Sequence, residues 1–81
     1  MNIEKRYAKI MINLRGNVNA IKDFVNLSSK YSDIEVRSGR YVVDPKSLFG
    51  ILSLDLDTPF SFFYPVEIEE DIKRDFGKWA V

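Results

Sequence analysis

The chain has 81 residues, twelve basic and twelve acidic side chains, and neither cysteine nor histidine. A chain of this length has room for one core, so we expect residues 1–81 to form a single domain. The lack of cysteine excludes disulfides, thiolate nucleophiles and zinc–thiolate sites. The lack of histidine excludes imidazole general bases, histidine metal ligands and phosphohistidine. We expect no cofactor.

The sequence also bears on where the protein works and what it attracts. No apolar run approaches the roughly 18 residues needed to cross a bilayer, and residues 1–6 are not followed by the apolar core of a signal peptide. We therefore expect a soluble, cytoplasmic protein with no membrane partner. Residues 1–46 contain nine Lys/Arg and five Asp/Glu, whereas residues 47–81 contain three and seven. The basic half could attract phosphate or an acidic partner, or the two halves could interleave on a solvated surface.

In the first half of the chain, the spacing of apolar residues changes twice. Apolar and polar residues alternate from residue 6 to 14, which predicts a half-buried strand. Asn17 then predicts a helix N-cap, and one broad apolar face predicts a helix to residue 31. Residues 34–37 and 40–43 alternate again on either side of Ser38-Gly39, which predicts a β-hairpin.

The second half adds a short helix, a strand and a final helix. Residues 47–53 predict the short helix, and residues 60–64 predict a strand with Phe60, Phe62 and Tyr64 on one face. Residues 66–79 predict the final helix, with an apolar stripe and with its acidic residues preceding its basic ones. The order β-α-β-β-α-β-α predicts an α+β fold in which a four-stranded antiparallel or mixed sheet has three helices on one face.

The short helix carries the most informative residues. Either Asp44, just before Pro45, or Ser47 can cap it. Its apolar side chains point two ways, with Leu48, Phe49 and Leu52 on one side and Ile51 and Leu54 on the other. A two-turn helix cannot bury both sides in so small a domain, so we expect Leu48, Phe49 and Leu52 to form an exposed apolar patch unless loops cover them.

The same segment resembles a known family. Residues 46–54, Lys-Ser-Leu-Phe-Gly-Ile-Leu-Ser-Leu, resemble the Lys-Ser-(Ile)-Met-Gly-Val-Met-Ser-Leu signature of HPr, the phosphocarrier of the bacterial phosphoenolpyruvate-dependent sugar phosphotransferase system. Residues 29–35 resemble the family's Ser-Lys-Phe…Asp-Ile segment, and Gly39 falls at its hairpin. The resemblance covers about residues 6–80, and it implies the HPr-like open-faced β-sandwich.

The chain departs from this family at the site of its chemistry. HPr has Gly-Ile-His-Ala-Arg-Pro-Ala between its first strand and first helix. Alignment back from residues 29–31 puts Asn17 at the phospho-accepting histidine, Asn19 at the arginine and Ala20 at the proline. An amide nitrogen is neither basic nor nucleophilic enough to accept a phosphoryl group. The resemblance therefore implies a relative that cannot act as a histidine phosphocarrier and has no catalytic residues.

The resemblance implies a different role for the short helix. Ser47 matches the regulatory serine that an HPr kinase/phosphorylase phosphorylates in low-GC Gram-positive bacteria. Leu48, Phe49 and Leu52 match the apolar patch through which HPr contacts its partners, and Lys46 lies beside them. The family includes histidine-less relatives that keep only the serine branch and act in catabolite repression. On the other interpretation, Ser47 is a plain N-cap; the two can hold together, and a phosphate there would sit at a helix N-terminus.

Three functional interpretations remain open. The first is an HPr-like regulatory or docking protein whose partners belong to the phosphotransferase or carbon-regulation system, with an HPr kinase/phosphorylase as one candidate. The second is a purely structural interaction domain that retains only the patch. The third, which zero net charge disfavours, is a nucleic-acid binder that uses the open sheet face. Its candidate residues are Lys9, Met11, Arg37, Arg40, Val42 and Phe63. We do not expect an enzyme, and the sequence leaves the oligomeric state open.

Overall fold

The alternating and helical periods of the sequence correspond to four strands and three α-helices in a computed structural model that describes residues 5–81. In chain order these are β1 (Tyr7–Ile12), α1 (Val18–Ser28), β2 (Glu35–Ser38), β3 (Tyr41–Val43), α2 (Leu48–Leu52), β4 (Phe60–Pro65) and α3 (Glu69–Phe76). Short 3-10 helices lie on either side of α3, at Val66–Ile68 and Gly77–Trp79. The predicted α+β element order is confirmed. Residues 1–4, which belong to the segment predicted not to be a signal peptide, lie outside the described part of the chain.

The sheet has the strand order β1-β4-β2-β3, and every neighbouring pair is antiparallel. The prediction of an antiparallel or mixed sheet is thus narrowed to an antiparallel one. β4 pairs with β1 along its whole length, from Tyr7 opposite Pro65 to Ile12 opposite Phe60. The β2–β3 hairpin turns at Gly39, whose φ of +58° is a left-handed conformation that glycine adopts without strain.

The core lies on one face of this sheet. Phe24 of α1 is fully buried, and its ring centroid is 5.4 Å from Phe60, 5.5 Å from Phe62 and 5.4 Å from Phe76, all in edge-to-face arrangements. The other two helices contribute to the same cluster through Ile51 of α2 and through Ile72 and Phe76 of α3. All three helices therefore cover one face, and the sheet is open on the other, as the alternation predicted.

Helix α1 ends earlier than predicted, at Ser28 rather than at residue 31. Ser28 Oγ donates a hydrogen bond to the carbonyl of Phe24 at 2.7 Å, and Ser29 Oγ donates to the carbonyl of Asn26 at 2.6 Å. These hydroxyls satisfy carbonyls of the last turn and compete with continued helix. Tyr31 therefore lies in a turn after α1, although its ring still packs on Phe76.

The predicted final helix is also divided. Only Glu69–Phe76 is α-helical, because Ile68 has a φ of −106° and a ψ of 17°, and Phe76 has a φ of −112°. Its stripe is partly confirmed, since Ile72 and Phe76 are buried while Ile68 and Trp79 are only partly so. An ion pair between Lys30 Nζ and Asp75 Oδ2 at 2.9 Å joins α3 to the end of α1. This contact links the basic half of the chain to the acidic half.

The chain end lies beside β1. Val81 N donates to the carbonyl of Met11 at 3.0 Å, Asn13 N donates to the carbonyl of Trp79 at 3.0 Å, and Ile12 and Ala80 form an antiparallel bridge. No pattern of side chains predicted this additional segment of sheet. Within residues 5–81, no helix has the length and apolarity needed to span a membrane.

Candidate functional site

Ser47 caps helix α2. Its backbone is extended, and its Oγ accepts a hydrogen bond from the Gly50 N–H at 3.1 Å. Asp44 acts one turn earlier, where its Oδ1 accepts from Lys46 N at 2.9 Å and its carbonyl accepts from Ser47 N at 2.9 Å. Of the two predicted caps, Ser47 is therefore the N-cap, and Asp44 stabilises the turn that leads into it.

Gly50 is a residue that the sequence pattern did not single out. A Cβ at this position would lie 3.4 Å from the Ser47 hydroxyl and 3.5 Å from the Cβ of Val43. These are ordinary van der Waals distances, so α2 packs closely beside Ser47 and β3 at this point and an alanine would still fit. Gly50 lies in the middle of the five-residue helix, where glycine costs about 1 kcal/mol relative to alanine. This unfavourable choice is the sequence feature that could have drawn attention to it.

The exposed apolar patch is formed by Leu48, Phe49 and Leu52, which are 39%, 84% and 50% exposed. Their neighbours Ile51 and Leu54 are buried in the core. The helix is therefore fixed by its buried side and by its cap, while the patch faces outward. No loop among the described residues covers Phe49, so the predicted exposure of all three side chains is confirmed.

Lys46 lies at the entrance to this helix. Its Nζ is 3.9 Å from Asp44 Oδ1 and 3.5 Å from the carbonyl oxygen of Tyr31. The ammonium group therefore adds positive charge just before Ser47 while staying tethered to the end of α1. Helix α2 has only five residues, so few aligned peptide dipoles contribute at its N-terminus.

Asn17 and Asn19 lie at the other predicted position, the start of α1. Asn17 Oδ1 accepts a hydrogen bond from Ala20 N at 3.0 Å, which confirms its capping role. Both asparagines line an open surface cleft of about 500 Å³ that Trp79 also lines. The lining contains carboxamides, one carboxylate and two cationic side chains, and none of these is a nitrogen nucleophile suited to carry phosphate.

The turn before α1 has a defined shape. Arg15 and Gly16 have φ values of +55° and +64°, and Asn17 N donates to the carbonyl of Leu14 at 3.0 Å. Two consecutive left-handed residues and this hydrogen bond define a type I′ turn. A Cβ at Gly16 would lie 3.0 Å from Asp57 Oδ1, so a larger residue would strain the backbone and displace the exposed Asp57 carboxylate slightly.

The open sheet face presents the residues proposed for nucleic-acid binding. Lys9, Met11, Arg37 and Val42 project from it, and Arg40 lies in the β2–β3 turn. The Arg37 guanidinium carbon lies 4.8 Å from the centre of the Phe63 ring, and Arg37 Nε also pairs with Glu35 Oε2 at 2.6 Å. The aromatic ring that a base would stack on is therefore already covered by a paired arginine.

The chain matches no family model, no curated protein and no solved structure. Its function is therefore inferred from the contacts described above, together with the resemblance at residues 46–54. The geometry brings Lys46, Ser47 and the patch together on the short helix α2 and at its N-terminus. It leaves Asn17 and Asn19 at the start of a different helix.

Proposed function

We propose that this protein is an HPr-like regulatory or docking protein that acts in the cytoplasm through Ser47 and the Leu48/Phe49/Leu52 patch. Its partners are proteins of the phosphotransferase or carbon-regulation system. The element order and the open antiparallel sheet support an HPr-like open-faced β-sandwich, and the residues at 46–54 support the family.

The observation that carries the proposal is the exposure of Phe49. A phenylalanine that is 84% exposed forgoes most of the free energy it would gain by burial, about 1.5–3 kcal/mol for a side chain of this kind. It lies on a helix that is capped and packed on its other side, so the exposure is a fixed feature of the surface. Aromatic side chains at the centre of interfaces are typical binding anchors.

Modification of Ser47 would change this surface directly. A phosphate on the hydroxyl adds about −1.5 to −2 charge beside Leu48 and Phe49 at neutral pH. Since the hydroxyl oxygen is also the cap, the phosphate oxygens would lie within reach of the Gly50 N–H that it now accepts from. The expected effect is a change of docking partner without loss of the fold.

The proposal does not include the phosphocarrier role that depends on the family's histidine. Asn17 caps α1 through its amide oxygen, and Asn19 has no guanidinium to bind a phosphate. We expect no phosphoryl transfer from phosphoenolpyruvate through enzyme I. Asn17→His alone should restore little of that transfer.

The proposal is tested by incubating the protein with ATP and an HPr kinase from a low-GC Gram-positive bacterium and measuring its mass. We expect one phosphate, abolished by Ser47→Ala and retained in Ser53→Ala, whose hydroxyl lies at the other end of α2. An authentic HPr labelled in parallel is the positive control. If that control is labelled and this protein is not, the regulatory role of Ser47 is wrong.

The same assay tests the patch. Phe49→Ser should lower the labelling of Ser47, because the kinase must dock beside it. Val42→Ser is the matched control, since Val42 is 58% exposed but lies on the open sheet face. Equal labelling of the two variants would show that the kinase does not recognise the patch.

One observation favours a second candidate, a structural interaction domain. The Ser47 hydroxyl is already engaged with Gly50 N, as a plain N-cap would be. On this alternative the protein stays unlabelled, and the Leu48/Phe49/Leu52 patch alone binds a partner.

A further inference from the structure

Strand β1 presents an open backbone edge opposite the one that pairs with β4. Val66 N donates to the carbonyl of Arg6 at 2.9 Å, and the register places Tyr7 opposite Pro65. In an antiparallel ladder this pattern directs the backbone groups of even-numbered β1 residues toward β4. The N–H and C=O groups of Tyr7, Lys9 and Met11 therefore point the other way.

The chain itself already uses part of this edge. The carbonyl of Met11 accepts from Val81 N, and Asn13 N donates to the carbonyl of Trp79, so residues 79–81 form the start of an added antiparallel strand. Beyond Val81 the edge continues along Lys9 and Tyr7. No described residue makes a backbone hydrogen bond there.

The side chains along this stretch favour an acidic occupant on one face. Lys9 projects from the open sheet face and has no ion-pair partner among residues 5–81. On the helix side, Ala8 and Ile10 pack against the core but stay partly exposed. An added strand would therefore gain from a carboxylate opposite Lys9 and from apolar side chains beside Ala8 and Ile10.

A second copy of the chain fits this edge poorly. Two-fold pairing centred on Lys9 or on Tyr7 places Lys9 opposite Lys9 or Lys5 of the other copy, and like charges directly opposite are destabilising. Pairing centred on Ala8 places Lys5 of the other copy opposite Met11, where Val81 already lies. An edge lysine is also a common device against self-association of sheets.

We infer that the Tyr7–Lys9 edge of β1 binds an extended peptide segment of a partner protein by strand addition, antiparallel to β1 and in line with Ala80–Val81. The segment alternates acidic residues, which lie on the face of Lys9, with apolar residues on the face of Ala8 and Ile10. Main-chain hydrogen bonds provide the binding and the alternation provides the selectivity. This site is separate from the Leu48/Phe49/Leu52 patch.

The probe is the peptide acetyl-Glu-Val-Glu-Val-amide, which is long enough to run from Lys9 to Arg6 and leaves Val81 in its place opposite Met11. Hydrogen exchange followed by NMR on the whole chain should show fast exchange at the Tyr7 and Lys9 amides without peptide. Saturating peptide should slow both by about tenfold or more and leave the Ala8 amide, which faces β4, almost unchanged.

Two matched peptides separate the contribution of the main-chain hydrogen bonds from that of the charges. N-methylation at both glutamate nitrogens removes the donors that would pair with Lys9 and Tyr7, and replacement of both glutamates by lysine reverses the charge. Each should bind at least about tenfold more weakly, as expected for the loss of two hydrogen bonds or of charge complementarity. Equal binding of the N-methylated peptide would overturn strand addition, and equal binding of the lysine peptide would overturn the acidic preference.

Variants of the protein give an independent test. Lys9→Pro removes an N–H that β4 does not use, so the fold should persist while peptide binding is lost. Lys9→Glu should prefer the lysine peptide, which keeps the test valid even if the proline variant unfolds. Binding unchanged in Lys9→Glu, or a dimer of the free protein that Lys9→Pro dissociates, would contradict the inference.

Discussion

Two phenylalanines on neighbouring helices have opposite environments. Phe24 of α1 is fully buried among three aromatic rings of the core, whereas Phe49 of α2 is 84% exposed. Both helices begin with a side-chain cap that accepts a backbone N–H, from Asn17 in α1 and from Ser47 in α2. The difference between the two rings is therefore one of position in the fold and not of local helix stability. Phe24 serves stability, and Phe49 is available for contact.

The largest expected effect comes from emptying the core. Phe24→Ala should lower the free energy of unfolding by about 3–5 kcal/mol, because it removes a buried ring and leaves a cavity among Phe60, Phe62 and Phe76. A domain of this size is stable by only about 5–15 kcal/mol, so urea denaturation should show a strongly lowered midpoint or no folded baseline. A loss below about 1 kcal/mol would contradict the central role of this ring.

A smaller effect should follow acidification, through the contact that ties α1 to α3. Hydrogen bonds from the Tyr31 hydroxyl and the Lys30 ammonium lower the pKa of Asp75 from 3.8 to about 2. Because the folded pKa lies below the unfolded one, this stabilisation is complete above about pH 4 and is lost as pH falls toward 2. It amounts to at most about 2.5 kcal/mol.

Asp75→Asn should therefore remove part of the stability measured by denaturation at pH 6 and flatten its decline below pH 4. Asp23→Asn is the control, because Asp23 is an exposed carboxylate on α1 outside every ion pair described. The same acid dependence in wild type and Asp75→Asn would show that another group controls it.

The caps should have an intermediate effect. Ser47→Ala should cost about 1 kcal/mol of stability, and Ser47→Asp should recover most of it, because aspartate accepts the same backbone N–H. Asn17→Ala offers the parallel measurement at α1. If Ser47→Ala is neutral in thermal denaturation while Asn17→Ala is not, the short helix does not depend on its cap.

The smallest effect should come from the patch. Phe49→Ser should change the free energy of unfolding by no more than about 0.5 kcal/mol, since the ring has little burial to lose. Circular dichroism and urea denaturation beside Phe24→Ala measure the contrast directly. A loss of several kcal/mol in Phe49→Ser would place this ring in the core and remove the patch.

The elements with strong patterns could be predicted from the sequence, and their ends could not. The alternation around Phe60, Phe62 and Tyr64 predicted the buried face of β4, because period two is a property of single strands. The end of α1 at Ser28 depends on hydroxyls that bond back to carbonyls, and the apolar residues continuing to Tyr31 hid it. The break at Ile68 likewise results from its backbone angles, which the apolar stripe does not predict.

The cap and the exposed side of the candidate site were largely predictable, because they depend on residues that are close together in the sequence. Ser47 and the outward side of α2 follow from spacing within about ten residues, and the fold only had to leave them uncovered. The C-terminal pairing with β1 was not predictable in this way. It joins Ile12 to Ala80 through backbone groups, which every residue has and which leave no signature in the side chains.

The pairing of β1 with β4 also has a consequence for synthesis on the ribosome. Tyr7 lies opposite Pro65, so β1 has no sheet neighbour until β4 has been translated. Until then the only paired strands are those of the β2–β3 hairpin. Contacts this distant in sequence also slow folding, because a long loop must close before they form. The nascent chain should therefore complete its sheet late, because only β4 can join β1 to the β2–β3 hairpin.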